Sequence, residues 1–312
     1  MKLAAAVAAL TMGALAMADA SATQTSQQAY EAMPDTTGTG PYPAVKRTDP
    51  GLPEHVLYQP ADLSRLGRKK LGVLVWGNGA CSDDGASVRF HLAEIASHGY
   101  LVIAPGRVLT GPGAPPRPRP QTPPPPGPLG IKTTTAQVAA GIDWALAENA
   151  RQGSPFFGRI DPRLVAVSGH SCGGLQALEI AADPRVHAVI VHNSGVFKDG
   201  TNPIRGITID KAALRRLHTP VLYIMGGPSD IAWPNGTDDF DRIDTVPAML
   251  ASLDVGHGGT FQDTNGGRVT PVDVAWLEWQ LRGDEAAARW FRGADCRLCT
   301  DPAWTVRKKR ID

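Results

Sequence analysis

One stretch of twenty residues constrains this chain more than any other: Leu164-Val-Ala-Val-Ser-Gly-His-Ser-Cys-Gly-Gly-Leu-Gln-Ala-Leu-Glu-Ile-Ala-Ala-Asp183. The apolar, β-branched run from Leu164 to Val167 reads as a buried strand. Gly169-His-Ser-Cys-Gly173 breaks it, and Leu175, Leu178 and Ala182 then fall on one face of a helix. Ser171 therefore sits at the apex of a sharp strand-to-helix turn. Side chains two residues to either side would collide as strand and helix close on each other, which is the demand that Gly169 and Gly173 answer. A serine so placed offers its hydroxyl at a helix N-terminus, where free N–H groups face any developing negative charge.

In that context G-x-S-x-G resembles the nucleophile elbow of the α/β-hydrolases. The chain around it alternates in kind. Val45 to Thr48 and Glu54 to Tyr58 read as opening antiparallel strands between prolines, and Leu71 to Trp76 as a fully buried strand, because its apolar run is continuous. Val88, Leu92, Ile95 and Ala96 mark a helix closed by Gly99, and Tyr100 to Ala104 the next strand. Thr134 or Thr135 caps a helix bearing Val138, Ile142, Ala145 and Leu146. Past the elbow come strands at Val186 to Val191, Pro220 to Met225 and Met249 to Val255, and a short helix from Asp210 to Leu217. A last helix starts at Thr270 and Pro271, with Asp273 completing a capping box, and Gly283 stops it. This alternation predicts an α/β protein with a mostly parallel sheet covered by helices on both faces.

The 312 residues suffice for one large domain, expected over 41–312. Lys2, the apolar run from Leu3 to Met17 and small-x-small sites at Ala16-Met-Ala18 and Ala20-Ser-Ala22 read as an export signal over 1–22. That run is shorter than the ~20 residues a membrane anchor needs. The mature protein is expected to be secreted or periplasmic, with a polar segment over 23–40 that need not fold. Ten of the seventeen residues from Pro112 to Pro128 are proline, so 111–130 is expected to be an extended surface insertion. A net charge of +1 gives no electrostatic case for nucleic acid or an anionic membrane, and the terminal Arg307-Lys-Lys-Arg310 reads as a solvated tail.

A nucleophilic Ser171 needs a base, and an acid to orient that base. In this fold they follow in the order Ser, Asp or Glu, His. Four histidines lie after the elbow: His187, His192, His218 and His257. Functional groups in parallel sheets gather beyond the carboxyl ends of strands. His187 and His192 belong to a buried strand, and His218 precedes its strand. His257 follows the last strand in a glycine-rich loop. Asp230, beyond the Val221 to Met225 strand, is the matching acid, with Asp238, Asp239 and Asp254 as fallbacks. The oxyanion donors expected are the Cys172 N–H, next to the nucleophile, and the Asn78 N–H on the loop after the Leu71 to Trp76 strand, with Gly79 in reserve. That same loop fails as a dinucleotide site, because Ser82 stands where a third glycine is required.

Four cysteines in an exported chain suggest two disulfides. Cys81 and Cys172 lie on the two halves of the expected oxyanion hole, so a bond between them would fix the two donors relative to each other; two buried free thiols are the alternative. Cys296 and Cys299 read as a short local disulfide, since the sequence offers no partners to complete a zinc site.

Trp76-Gly-Asn-Gly79, Ala96-Ser-His-Gly-Tyr100, Gly169-His-Ser-Cys-Gly-Gly174, Gly226 to Asp230 and Gly256-His257 together resemble the dienelactone-hydrolase branch of the α/β-hydrolases, near the secreted cutinase-like polyester hydrolases and platelet-activating-factor acetylhydrolases. The likeness spans roughly Leu71 to Gly283. It implies serine-nucleophile hydrolysis of carboxylic esters without a cofactor; the expected partner is a small-molecule or polymeric ester, and a monomer without a metal is expected. Cys172 stands where the polyester hydrolases usually have methionine; this, the proline-rich insertion and the Cys296/Cys299 tail bear on substrate rather than chemistry. Trp76 and Trp233 are candidates for a substrate pocket. An acyltransferase or peptidase with the same triad, and a non-catalytic binding protein on the same fold, are the competing readings.

Overall fold

The computed structural model describes residues 27–116 and 130–312. The expected signal over 1–22 and most of the proline-rich insertion lie outside the described residues.

Among these residues the strands are β1 (Ala44–Asp49), β2 (Leu52–Pro60), β3 (Leu71–Gly77), β4 (Tyr100–Pro105), β5 (Ile160–His170), β6 (Ala188–His192), β7 (Val221–Met225), β8 (Ala248–Leu253) and β9 (Trp304–Lys309). They form one sheet in the order β1-β2-β4-β3-β5-β6-β7-β8-β9. The six strands from β4 to β8 in that order are parallel; β1 and β2 at one edge and β9 at the other are antiparallel. The protein is thus α/β with a mostly parallel sheet.

Burial on both faces follows from period-two alternation within continuous apolar runs. Val73, Val75, Val165, Val167, Val189 and Val191 point to one face, where they meet α2 (Thr135–Ala150), α3 (Cys172–Ile180) and α4 (Trp233–Arg242). Leu74, Trp76, Ala166 and Ile190 point to the other, against α1 (Arg89–Ser97) and α5 (Thr270–Arg282). Thr134 caps α2 in a reciprocal capping box with Gln137, and Gly283 ends α5 in the left-handed conformation, φ 69°.

The site is positioned by a reversal of strand order. From β3 the chain moves one way to β4, and from β5, on the other side of β3, it moves the opposite way to β6. The loops leaving β3 and β5 therefore diverge at their carboxyl ends and open a crevice between them.

Three expectations are corrected. Residues 27–40 are not a loose leader: 27–32 is helical and Tyr30 is buried. The cause is Arg89, itself buried on α1, whose guanidinium donates to the Tyr30 and Met33 carbonyls at 2.7 and 2.8 Å and lies 3.0 Å from Asp35. A buried cation must be compensated, and this segment supplies the compensation. The basic C-terminus is not a solvated tail either. β9 covers the open edge of β8, and Lys309 Nζ donates to the carbonyls of Phe240, Asp241 and Ile243. Finally, Asp273 caps nothing: Val269 is the N-cap of α5 without a side-chain bond, and Asp273 is fully buried.

Candidate active site

The turn after β5 places Ser171 at φ 54°, ψ −120°, a backbone conformation that costs about 1–3 kcal/mol. The glycines around it make the turn sterically feasible. A Cβ on Gly169 would lie 2.2 Å from the Gly173 carbonyl oxygen, and one on Gly173 would lie 2.0 Å from that of Gly77. The turn is pinned by the Ser171 N–H donating to the His192 carbonyl (3.0 Å), and by the Ser194 hydroxyl and Gly174 N–H donating to the Ser171 carbonyl (2.6 and 2.9 Å).

His257, on the loop beyond β8, donates from Nδ1 to Asp230 Oδ1 at 2.6 Å. That bond leaves a lone pair on Nε2, to which the Ser171 hydroxyl donates at 2.9 Å. The structure therefore brings Ser171, His257 and Asp230 into one hydrogen-bonded chain. Asp230 is buried, beyond β7. Burial works to raise its carboxyl, but His257, the Ala232 and Gly226 amides and Asn193 all donate to it and together hold it below the usual carboxylate range. An ionised carboxylate at this place fixes the imidazole tautomer and favours the imidazolium.

The fallback acids go elsewhere. Asp239 is buried against Lys211, the Val196 amide and the Tyr223 hydroxyl, and burial pushes it up to about 6. Asp238 pairs with Arg242 and Lys211, and Asp254 is exposed. His218 binds the Val186 carbonyl at the amino ends of the strands, His187 is exposed, and His192 is buried beneath the crevice.

Two supporting residues escape the sequence pattern. Asn193, directly beyond β6 at φ 45°, donates from Nδ2 to Asp230 Oδ2 (2.9 Å) and to the Gly256 carbonyl (3.1 Å), tying Asp230 to the loop that carries His257. The strand-end rule applied to β6 as well as β7 and β8 would have found it. His170, immediately before Ser171, donates from Nε2 to the His257 carbonyl at 2.7 Å, its ring centroid 5.1 Å from that of His257. Desolvation pushes His170 down to about 4, so it is a neutral donor at any ordinary pH.

Beside Ser171 and His257 lies a cavity of about 90 Å³, walled by Cys172, Leu175, Phe197, Ile204, Ile231 and Ala232, with Asn235 as a polar group. Neither tryptophan expected in a pocket is among its walls. Trp76 lies on an even position of β3, so it faces α1 and α5, where it is fully buried; Trp233 packs against the core at the start of α4. Covering an indole of roughly 200 Å² is worth about 5 kcal/mol, a core contribution.

Cys172 thus lines the cavity, but Asn78 does not. Asn78 is fully buried and its side-chain amide donates to the Ser82 and Pro105 carbonyls, which anchors the loop after β3. That loop is left-handed at Ala80 and Cys81 and is bonded to α3 through the Cys81–Cys172 disulfide. Cys296 and Cys299 form the second disulfide. The grouping of metal-binding side chains that stands out among the described residues is His91, His192 and Asp273. No helix among the described residues is long and apolar enough to cross a membrane. No family model matches the chain, and no curated protein matches it either.

Proposed function

We propose that this protein is an exported serine hydrolase of carboxylic esters on an α/β-hydrolase fold. The observation that carries the reading is the chain of bonds Ser171 Oγ, His257 Nε2, His257 Nδ1, Asp230 Oδ1 at the topological switch point, with the serine in strained backbone beside a mainly apolar cavity.

The chemistry follows from the geometry. Ser171 Oγ attacks the ester carbonyl carbon as its proton passes to His257 Nε2, and the Asp230 carboxylate stabilises the imidazolium that forms. Negative charge gathers on the former carbonyl oxygen. The Cys172 N–H at the start of α3 meets it, with a second amide from the loop at Asn78 and Gly79 held in register by the disulfide. Collapse of the tetrahedral species breaks the ester C–O bond, and the leaving alkoxide takes the proton from Nε2. Water, deprotonated by the same imidazole, then releases the acyl group from Ser171. A cavity of about 90 Å³ beside the nucleophile suits a short acyl chain. Two disulfides fit an oxidising compartment, in keeping with the export signal read over 1–22.

Ser171→Ala should abolish p-nitrophenyl acetate hydrolysis with unchanged circular dichroism, and a fluorophosphonate probe should label the native protein at Ser171 alone. Full residual activity, or an unlabelled Ser171, would end this account.

A further inference from the structure

Beneath the crevice three side chains from distant parts of the sequence meet with almost no conventional hydrogen bonding. His91 comes from α1, His192 from the end of β6 and Asp273 from α5; all three are fully buried. Asp273 Oδ2 lies 3.3 Å from His91 Nε2 and 3.2 Å from His192 Nε2. Yet neither contact has hydrogen-bond geometry, and both carboxylate oxygens, His91 Nε2 and both ring nitrogens of His192 lack a hydrogen-bond partner. A buried carboxylate left in that state costs several kcal/mol, so something must compensate it.

The tautomer of His91 narrows what that something is. The Thr270 hydroxyl donates to the Gly266 carbonyl at 3.1 Å and so accepts from His91 Nδ1–H at 2.7 Å. His91 Nε2 is then a bare lone pair facing a carboxylate. A proton on Asp273 donated to His91 Nε2, with His192 donating from Nε2–H, is one way to match these contacts. A single cation bound by Asp273 and the Nε2 lone pairs of both imidazoles is the other, and either leaves His192 Nδ1 without a partner. The spacing also fits: bonds of about 2.0–2.1 Å from zinc to imidazole nitrogen or carboxylate oxygen put neighbouring corners of a tetrahedron about 3.3 Å apart. The Thr270 contact is the outer hydrogen bond that orients a ligating imidazole.

We propose that His91 Nε2, His192 Nε2 and the Asp273 carboxylate form a buried structural site for a divalent transition metal, zinc by its ligand set. Two neutral imidazoles and a carboxylate suit that ion, each residue offering one ligand atom, and a metal-bound water would complete the tetrahedron. The rings of Trp76 and Phe261 pack on the histidines at centroid distances of 4.9–5.6 Å and close the site to substrate. Its role is to join elements that carry the crevice. The His192 carbonyl holds the Ser171 amide, and Phe261, a few residues beyond His257, packs on His91, His192 and His170. A metal there would clamp α1, β6 and α5 under the nucleophile and under the loop of the base.

The test uses the full mature chain, denatured in chelator and refolded with zinc, with cobalt(II) or with chelator alone. One equivalent of metal should survive gel filtration by elemental analysis, the cobalt form should show the intense visible bands of a tetrahedral centre, and zinc should raise the thermal midpoint by roughly 5–15 °C. Asp273→Asn and His91→Leu should each lose the metal and the bands. Wild-type protein that keeps only substoichiometric metal and shows no bands overturns the proposal and leaves Asp273 protonated between its histidines. Metal retained unchanged by a folded Asp273→Asn protein also overturns it, by placing the ion elsewhere. Because the wild-type spectrum decides by itself, a variant that fails to fold does not rescue the idea.

Discussion

Replacing both Cys81 and Cys172 by alanine removes a cross-link between residues 91 apart in sequence and 5.3 Å apart at Cα. In the chain-entropy account, a bond closing a loop of that length restricts the unfolded chain by about 4–5 kcal/mol at 25 °C. In a chain of this size each kcal/mol moves the thermal midpoint by about 2–4 °C, so the double variant should melt roughly 9–18 °C lower. The structure predicts a kinetic effect as well. Cys81 lies in left-handed backbone on the loop after β3, and Cys172 begins the helix whose first amide faces the proposed oxyanion. Losing one oxyanion donor costs about 10²–10³ in kcat, and a loosened loop should cost part of that, about 10–100-fold, with KM little changed because the bond forms only in the transition state. Both sulfurs are buried, so substitution is a cleaner perturbation than reductant. Thermal unfolding by circular dichroism and initial rates on p-nitrophenyl acetate at a temperature where both proteins are folded give the two readouts. A variant melting within a degree or two of the parent would refute the entropic argument. One that melts lower but keeps full kcat would refute the positioning argument while leaving the cross-link's structural part intact.

Asn193→Ala removes one donor from Asp230 Oδ2, which keeps the Gly226 amide, and one from the Gly256 carbonyl, which keeps the Gly259 amide, a loss of about 1–3 kcal/mol, so kcat on p-nitrophenyl acetate should fall about 5–150-fold; unchanged kinetics would show that Asp230 is held without it. His170 is held near 4 against an ordinary 6.5, so the folded chain refuses a proton that the unfolded chain accepts below that value. Its contribution to stability is complete above pH 6.5 and is lost as pH falls toward about 4. His170→Gln should therefore show a flatter dependence of melting temperature on pH across that window, and an identical slope would count against it. Phe197→Ala enlarges the wall of the cavity, so the ratio of kcat/KM for p-nitrophenyl hexanoate over acetate should rise about tenfold, and a constant ratio would move the acyl group to another surface.

Much of this arrangement can be read along the chain, because it rests on short-range physics. Strand and helix identity follow from burial period, and the left-handed Gly283 after α5 from the absence of a Cβ. The end of the strand that each residue occupies favours His257 over His218, and the fold puts His257 against Ser171 and His218 at the opposite end of the sheet. Two loops expected to face each other imply the pairing of Cys81 with Cys172, and the two cysteines are bonded. Other features had no local signature. Trp304 to Lys309 alternates weakly and ends in charges, and it becomes a strand because β8 needs an edge partner. Residues 27–40 look like a polar leader until buried Arg89 requires carbonyls and a carboxylate from them.

Sequence alone determined the strained serine between two glycines, the kind and order of the elements, and the order in which Ser171, Asp230 and His257 follow the strands. Each depends on backbone sterics or on a residue's own periodic position. Tertiary structure decided what no residue's period contains: which face of the sheet takes Trp76, which amide carries Asp230, and that His91, His192 and Asp273 meet. A helix pattern can place Asp273 on the buried side of α5, but only crossovers and strand register bring two imidazoles, 182 and 81 residues away, to the same carboxylate.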